Sequence, residues 1–399
     1  MVKDFVGQNL INVLSSIAIG LINWLFGFII IRYVPEEQYT IFFTFSSLLA
    51  IASFPGAWIT LMTIQVGHPF WTIIKQKLQN IPYAKIILSL VLISLAVLFI
   101  LINVSVFFLG LLFMVLLFGG YYSSFLRGLL QRDLKFMNLG VIGLAEVIIK
   151  ALILGGFVAL GISGWGMYTA IFIQTLFTLV VLMKFVPKRD VSPTEKVFSL
   201  RKEALLALFY SSCFLLITNI DLIMAKALLP LQQNADYISL LQIGKLIIFG
   251  SSALITVLVP ALQKYKDTKQ QILMSMLTGA GIIVGSLIVA GFVIAEYSQV
   301  VHFLKIQGVG LDLILEMVGA VALLGLAQIP LVLLLAKRNT LLPITVIITV
   351  ISQVALYLSF GKDLRSFIMI YGITAAILLI ATLSAQTLFK GNKHEKIIK

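Results

Sequence analysis

The chain is poor in the residues that soluble enzymes and disulfide scaffolds rely on. It has one cysteine, three histidines and ten prolines in 399 residues, and only 11% of it is charged. A single thiol, Cys213, makes neither an intrachain disulfide nor a zinc cluster, and within an apolar run it reads as packing. His68, His302 and His394 fall between the apolar runs or in the tail, so no intramembrane histidine cluster is available for a metal. No G-x-x-x-x-G-K-[ST] loop is present, which argues against ATP hydrolysis by the chain itself. No long loop carries paired carboxylates or a Ser/His/Asp set, the kind of catalytic surface a membrane glycosyltransferase or polymerase needs outside the lipid. The chain is therefore read as a non-enzyme with no metal and no cofactor.

What the sequence does have is apolar length. It is 60% hydrophobic, more than a soluble protein of this size buries. A membrane-crossing helix needs roughly 20 residues. The apolar runs predict twelve such helices, near 8–32, 38–65, 83–104, 106–130, 138–161, 165–186, 204–229, 236–262, 271–295, 311–335, 341–360 and 366–389. No soluble domain of useful size is left over. The first run follows a single Lys3, is longer than a signal-peptide core and lacks a small-residue cleavage site, so it is read as a retained helix.

The net charge of +13 sits in the turns. The N-terminus, every second loop with its flanking helix ends, and the tail hold 22 of the 29 Lys and Arg; the intervening loops hold Arg32, Lys305, Lys362 and Arg365; the last three, Lys150, Lys226 and Lys245, lie deeper within helices. Basic flanks of this kind set membrane orientation and meet anionic headgroups, so nucleic acid is not an expected partner. The alternation places both termini in the cytoplasm and requires an even number of helices.

The longest basic loop, VPKRDVSPTEKVFSLRKE from Val186, divides the chain. Pro35 aligns with Pro230, Tyr39 with Tyr237, and Ile59-Thr60 with Ile255-Thr256 across it. This weak repeat predicts an all-α polytopic membrane protein of two six-helix bundles, 1–190 and 204–399, joined by a cytoplasmic linker, 191–203. A parallel repeat of that kind places a cavity between its halves.

Charges inside the apolar runs are costly and mark candidate sites. Glu146 and Lys150 lie four apart on one helix, in the better order for an intrahelical pair. Lys150 is roughly 16 Å from the cytoplasmic end of its helix, near the midplane. Asp221 and Lys245 stand equally far from a tight turn near residue 233, at the same depth of an antiparallel hairpin. Both couples can equally be structural bridges. Arg127 lies beside Arg132 and Lys135 at a cytoplasmic helix end, where it serves either orientation or a phosphate contact. Glu316 is near an outer helix end, and Lys226 is close enough to one to snorkel. Asn23, Asn219, Gln174, Gln242, Gln328 and Gln353 are neutral polar groups within spans, suited to interhelical hydrogen bonds.

The turn R-G-x-L-Q-x-x-x-x-F at Arg127 to Phe136, followed by the helix with Glu146 and Lys150, resembles the polysaccharide transporter family. TNIDLIMAKALLP at Thr218 to Pro230, then ADY from Ala235 and VPALQ from Val259, resemble that family's seventh and eighth helices. These are bacterial flippases for undecaprenyl-diphosphate-linked O-antigen and related repeat units, within the multidrug/oligosaccharidyl-lipid/polysaccharide exporter superfamily. The likeness is sharp only at these two places. An aromatic run, Phe42, Phe43 and Phe45, replaces the family's usual small-residue pattern in the second helix.

The resemblance implies inner-membrane transport for lipopolysaccharide or similar polysaccharide biosynthesis. It also implies a lipid-linked oligosaccharide as substrate, alternating access with proton or sodium coupling, and a polysaccharide polymerase and chain-length regulator as candidate partners. On that reading Lys150, Lys245, Glu146 and Arg127 bind the diphosphate head, and Asp221 couples an ion. Two other readings stand beside it: a cation-coupled multidrug antiporter, and a non-transporting scaffold of a glycan-assembly complex.

Overall fold

A computed structural model of the chain describes residues 2–66, 106–132, 136–185, 215–264, 268–306, 308–336 and 341–395. Every regular element among them is an α-helix: α1 (Val2–Tyr33), α2 (Glu36–Ala52), α3 (Phe54–Val66), α4 (Val106–Arg132), α5 (Phe136–Ala159), α6 (Ser163–Phe185), α7 (Ile220–Leu228), α8 (Leu231–Lys264), α9 (Thr268–Ala295), α10 (Tyr297–Leu304), α11 (Leu311–Ala336), α12 (Leu342–Phe360) and α13 (Leu364–Glu395). The expected helix at 83–104, the linker 191–203, Cys213 and His68 lie outside the described residues.

Proline chemistry sets several boundaries. α1 ends just before the Val34-Pro35 pair, because a residue preceding proline is driven out of the helical region. Pro35 then takes an extended backbone, and α2 opens with Glu36 and Glu37, acids that complement the exposed N–H groups of a first turn. Pro230 likewise stands directly before α8, following an extended Leu229. Each of the two prolines matched in sequence thus stands directly before a helix.

The expected helix 38–65 is two helices. Ser53, two residues before Pro55, breaks it, and its hydroxyl donates to the Ala50 carbonyl at 2.7 Å. Within the expected helix 204–229, the described part is also broken. A helical turn at 215–217 is followed by a turn at Thr218–Asn219 before α7 starts. α10, in a stretch expected as loop, is a short extra helix that ends on a left-handed Lys305.

Eight stretches among the described residues are long and apolar enough to cross a membrane. Their outer faces carry exposed large apolar side chains, such as Leu152 on α5 and Met276, Leu287 and Ile288 on α9. An exterior of this kind suits lipid rather than water.

In the first half α1 packs on α5, α3 on α4, and α6 on both α4 and α5. In the second, α11 packs on α8, α9 and α13, and α12 on α13. The halves meet where α1 lies on α8 and α2 lies on both α7 and α8. The largest apolar core crosses that seam, joining Phe26, Ile30, Tyr39 and Phe42 to Tyr237, Ile238 and Leu241. The aromatic run of α2 is used here. Phe42 and Phe45 pack edge-on against Tyr168 of α6, with ring centroids 5.5 and 5.6 Å apart.

Candidate functional site

In the first half, α4, α5 and α1 bring four polar groups together. Arg127 is on α4 and Glu146 on α5. A single guanidinium nitrogen, Nη2 of Arg127, donates to both Glu146 oxygens, at 2.6 and 2.7 Å. The glutamate is buried, so this charge-assisted contact supplies what the lost water would have given it. The pair expected along the helix, Glu146 with Lys150, is replaced by a pair between helices.

Lys150, one turn further along α5, donates instead to Asn23 Oδ1 of α1. Its ammonium also lies 4.3 Å above the centroid of the Phe26 ring, a cation–π contact. A neutral carbonyl and a ring face hold this cation without cancelling its charge.

In the second half, the helix break sets the geometry. Asp221 follows the Thr218–Asn219 turn and sits in the first turn of α7, where the free N–H groups favour a negative charge. It is fully buried. Tyr237 of α8 donates its hydroxyl to Asp221 Oδ2 at 2.8 Å. Among the described residues the other oxygen, Oδ1, meets no side-chain donor, and the Leu222 N–H lies beside the carboxylate; the Tyr357 hydroxyl (α12) lies beside Tyr237 and Gln353, and the Tyr371 hydroxyl (α13) has no partner among the described residues. All three tyrosines are buried within electrostatic reach of Asp221. Gln353 of α12 donates to the Ile217 carbonyl at 3.2 Å, partnering a backbone group next to the break.

Lys245 of α8 does not close an ion pair with Asp221. Its ammonium lies 5.2 Å from the ring centroid of Phe43 on α2, across the seam. Among the described residues neither Lys150 nor Lys245 has a carboxylate within ion-pairing distance. The two cations thus share one environment, a phenylalanine face from an early helix of the first half.

Beside them the seam is tied by a reciprocal contact. Trp24 Nε1 of α1 donates to the Gln242 carbonyl at 2.9 Å, and Gln242 Nε2 donates back to the Trp24 carbonyl at 3.1 Å. Gly27 allows this, because a Cβ there would overlap the Gln242 amide. Glu316 is taken up elsewhere, by Arg365 at the start of α13, at 2.5 Å. No group of three or more His, Cys, Asp or Glu side chains among the described residues could hold a metal ion.

The five residues singled out in the sequence therefore fall into two places. Arg127, Glu146 and Lys150 form one cluster, whereas Asp221 and Lys245 stand on α7 and α8 with different partners. The sequence reading had no role for the aromatic supports Phe26 and Phe43, or for the tyrosines around Asp221. Two of these had left a signal: Phe43 as part of the aromatic run in the second helix, and Tyr237 as a position that aligns with Tyr39.

No protein-family model and no curated protein sequence matches the chain. Solved structures match its shape over nearly its whole length. An outward-facing multidrug resistance MATE family transporter of the MOP superfamily gives a TM-score of 0.66 at 14% identity, covering 97% of this chain and 96% of the other. A MATE structure in complex with MaD5 gives 0.65 at 16% identity, with the same coverages. A MOP superfamily transporter from Pyrococcus furiosus Vc1 gives 0.63 at 13%, again over 97% and 96%; its pocket is described as having reverse polarity, suggesting a different function. The chain has this fold: all-α and multi-pass, with about twelve helices in its expected architecture.

Proposed function

We propose that the chain is a flippase for undecaprenyl-diphosphate-linked oligosaccharide repeat units of a surface polysaccharide. It moves them from the cytoplasmic to the periplasmic leaflet by alternating access of the bundles 1–190 and 204–399 about the linker 191–203. The observation that carries this reading is the pair of intramembrane lysines held by ring faces and an amide rather than by carboxylates. A cation with no carboxylate in direct contact is costly inside a membrane protein, even with Asp221 in electrostatic reach of Lys245 and Glu146 of Lys150, and an arriving anion offsets that cost. A diphosphate is such an anion. Its sugars and phosphates cannot cross hydrocarbon without losing their hydration. Lys150 and Lys245, on opposite halves, offer successive contacts. Arg127 and Glu146, bound to each other, set the shape of the first contact rather than adding net charge to it.

Asp221 is the coupling group of this proposal. A buried carboxylate with one oxygen that no described side chain meets can take up and release a proton or sodium ion as the halves move. It lies beside a break in its helix, a pattern transporters use for ion sites.

The test is Lys150→Ala and Lys245→Ala in a strain lacking the chromosomal copy. Both variants should reach the membrane at normal levels and leave the cell without surface glycan. Normal glycan in both would end the assignment. A second reading, export of an organic cation, is favoured by the aromatic side chains of α2 at the seam and by the multidrug transporters that share the fold. It predicts that Asp221→Asn sensitises cells to cationic drugs while the lysine variants do not.

A further inference from the structure

An apolar groove of about 740 Å³ opens beside the seam. Trp24 and Phe28 of α1, Ile243 and Leu246 of α8, and Val289 and Phe292 of α9 form its walls, and α10 closes one end. The volume is that of a ligand pocket, but a drug site would offer several convergent polar groups along its walls. Here polar residues lie only at the α10 end, where Glu296, Gln299 and His302 border the groove. Arg32 stands at the same end, with Nη1 donating to the His302 carbonyl at 3.1 Å.

The groove shares its helices with the cations. Successive helical residues point about 100° apart. On α1, Asn23 turns to Lys150 while Trp24 turns to the groove. On α8, Gln242 and Lys245 meet α1 and α2 of the other half, while Ile243 and Leu246 line the groove. The reciprocal contact between Trp24 and Gln242 stands between the two environments. Asn23 is roughly 15 Å along the axis from the Tyr33 end of α1. A phospholipid resting with its head at the surface would not bring its phosphate to that depth. A lipid whose phosphate reaches Lys150 must send its hydrocarbon sideways, out between α1 and α8.

We infer that this groove seats the polyprenyl tail of the diphosphate lipid while its head contacts the lysines across the Trp24–Gln242 seam, an inference that rests on the flippase reading. The walls match a long, flexible, unfunctionalised hydrocarbon, and the lysines next to them match its anionic end.

The experiment uses the full chain in vesicles of phosphatidylethanolamine and phosphatidylglycerol, with p-benzoyl-phenylalanine placed at Phe292 in the groove or at Phe26 beside Lys150. The probes are tritiated undecaprenyl diphosphate bearing one sugar and tritiated phosphatidylglycerol. The expected result is capture of the polyprenyl probe at position 292, roughly ten-fold above phosphatidylglycerol, a preference of about 1.4 kcal/mol. Leu246→Trp and, separately, Ile243→Phe, each checked for normal thermal unfolding, should suppress that capture by filling the groove. Equal capture of both lipids at 292, or capture unaffected by either filling variant, would overturn the inference. Polyprenyl capture at position 26 but not at 292 would remove the groove and leave the flippase standing. Capture of the polyprenyl probe at neither position would remove both.

Discussion

Arg127 and Glu146 form a charge-assisted pair in the first half, with Nη2 donating to both oxygens of the buried carboxylate. Their bond leaves Lys150 as the uncancelled cation of α5. Arg127→Leu should therefore destabilise the protein by about 3 kcal/mol, at the lower end for a broken buried pair because the arginine is a third exposed. Arg127→Leu with Glu146→Leu should recover much of that loss. Thermal unfolding in detergent, run as a double-mutant cycle, gives the coupling; simple additivity would show that the two do not act as a pair.

Lys150→Ala removes an ammonium that the proposed substrate meets. A hydrogen bond to a charged group contributes about 1.5–3 kcal/mol, so affinity for a polyprenyl diphosphate should fall roughly ten- to hundred-fold. Lys245→Ala should behave alike. Direct binding to the purified variants checks both, and unchanged affinity in each would exclude these lysines as contacts.

Tyr237→Phe takes away the partnered hydroxyl of Asp221 and leaves both carboxylate oxygens without a side-chain donor. It should lower stability by about 1–3 kcal/mol. Asp221→Asn keeps the shape but removes the titrating group. Transport by Asp221→Asn, assayed in vesicles with and without imposed proton or sodium gradients, should become gradient-independent; retained gradient dependence would move the coupling elsewhere.

Gly27→Ala sets two effects against each other. The helix gains roughly 1 kcal/mol of propensity. The new Cβ overlaps the Gln242 amide, whose bond to the Trp24 carbonyl keeps it from swinging away, and overpacking costs about 1–3 kcal/mol. A net loss of melting temperature is expected, and Gly27→Ala with Gln242→Ala should regain it. A stabilised single variant would show that Gln242 moves freely.

Gln353→Leu strips the side-chain partner from the Ile217 carbonyl next to the break before α7. A cost of about 1–3 kcal/mol is expected for an orphaned buried carbonyl. Hydrogen exchange should report it as faster opening of residues 215–228 specifically. Uniform acceleration across the chain would point to a global rather than local role.

Much of the architecture is legible without coordinates, because membrane helices are encoded by local hydrophobic length. The apolar runs account for most of the described spans, and Pro35 and Pro230 mark helix starts, since proline acts on its own backbone. The interruption at Ser53 had a local signal too, in Pro55, yet it reads as one continuous apolar run on hydropathy alone. The turn at Thr218–Asn219 had none. Thr218 and Asn219 partner the Leu215 carbonyl locally, but the Ile217 carbonyl is met by Gln353, 136 residues away.

The sequence by itself determined that charges lie within apolar spans and at what depth, because depth follows from counting residues along a helix. Only the tertiary structure decided their partners. The spacing of Glu146 and Lys150 favours a bond along α5, yet Arg127 from α4 takes both carboxylate oxygens, so the local pair is lost. The equal depth of Asp221 and Lys245 likewise permits an ion pair, but α2 and α8 place Phe43 beneath the lysine and Tyr237 against the acid. Depth is a one-dimensional property of each helix. The partner at that depth depends on how the helices pack, and that decides which charges are left for a substrate.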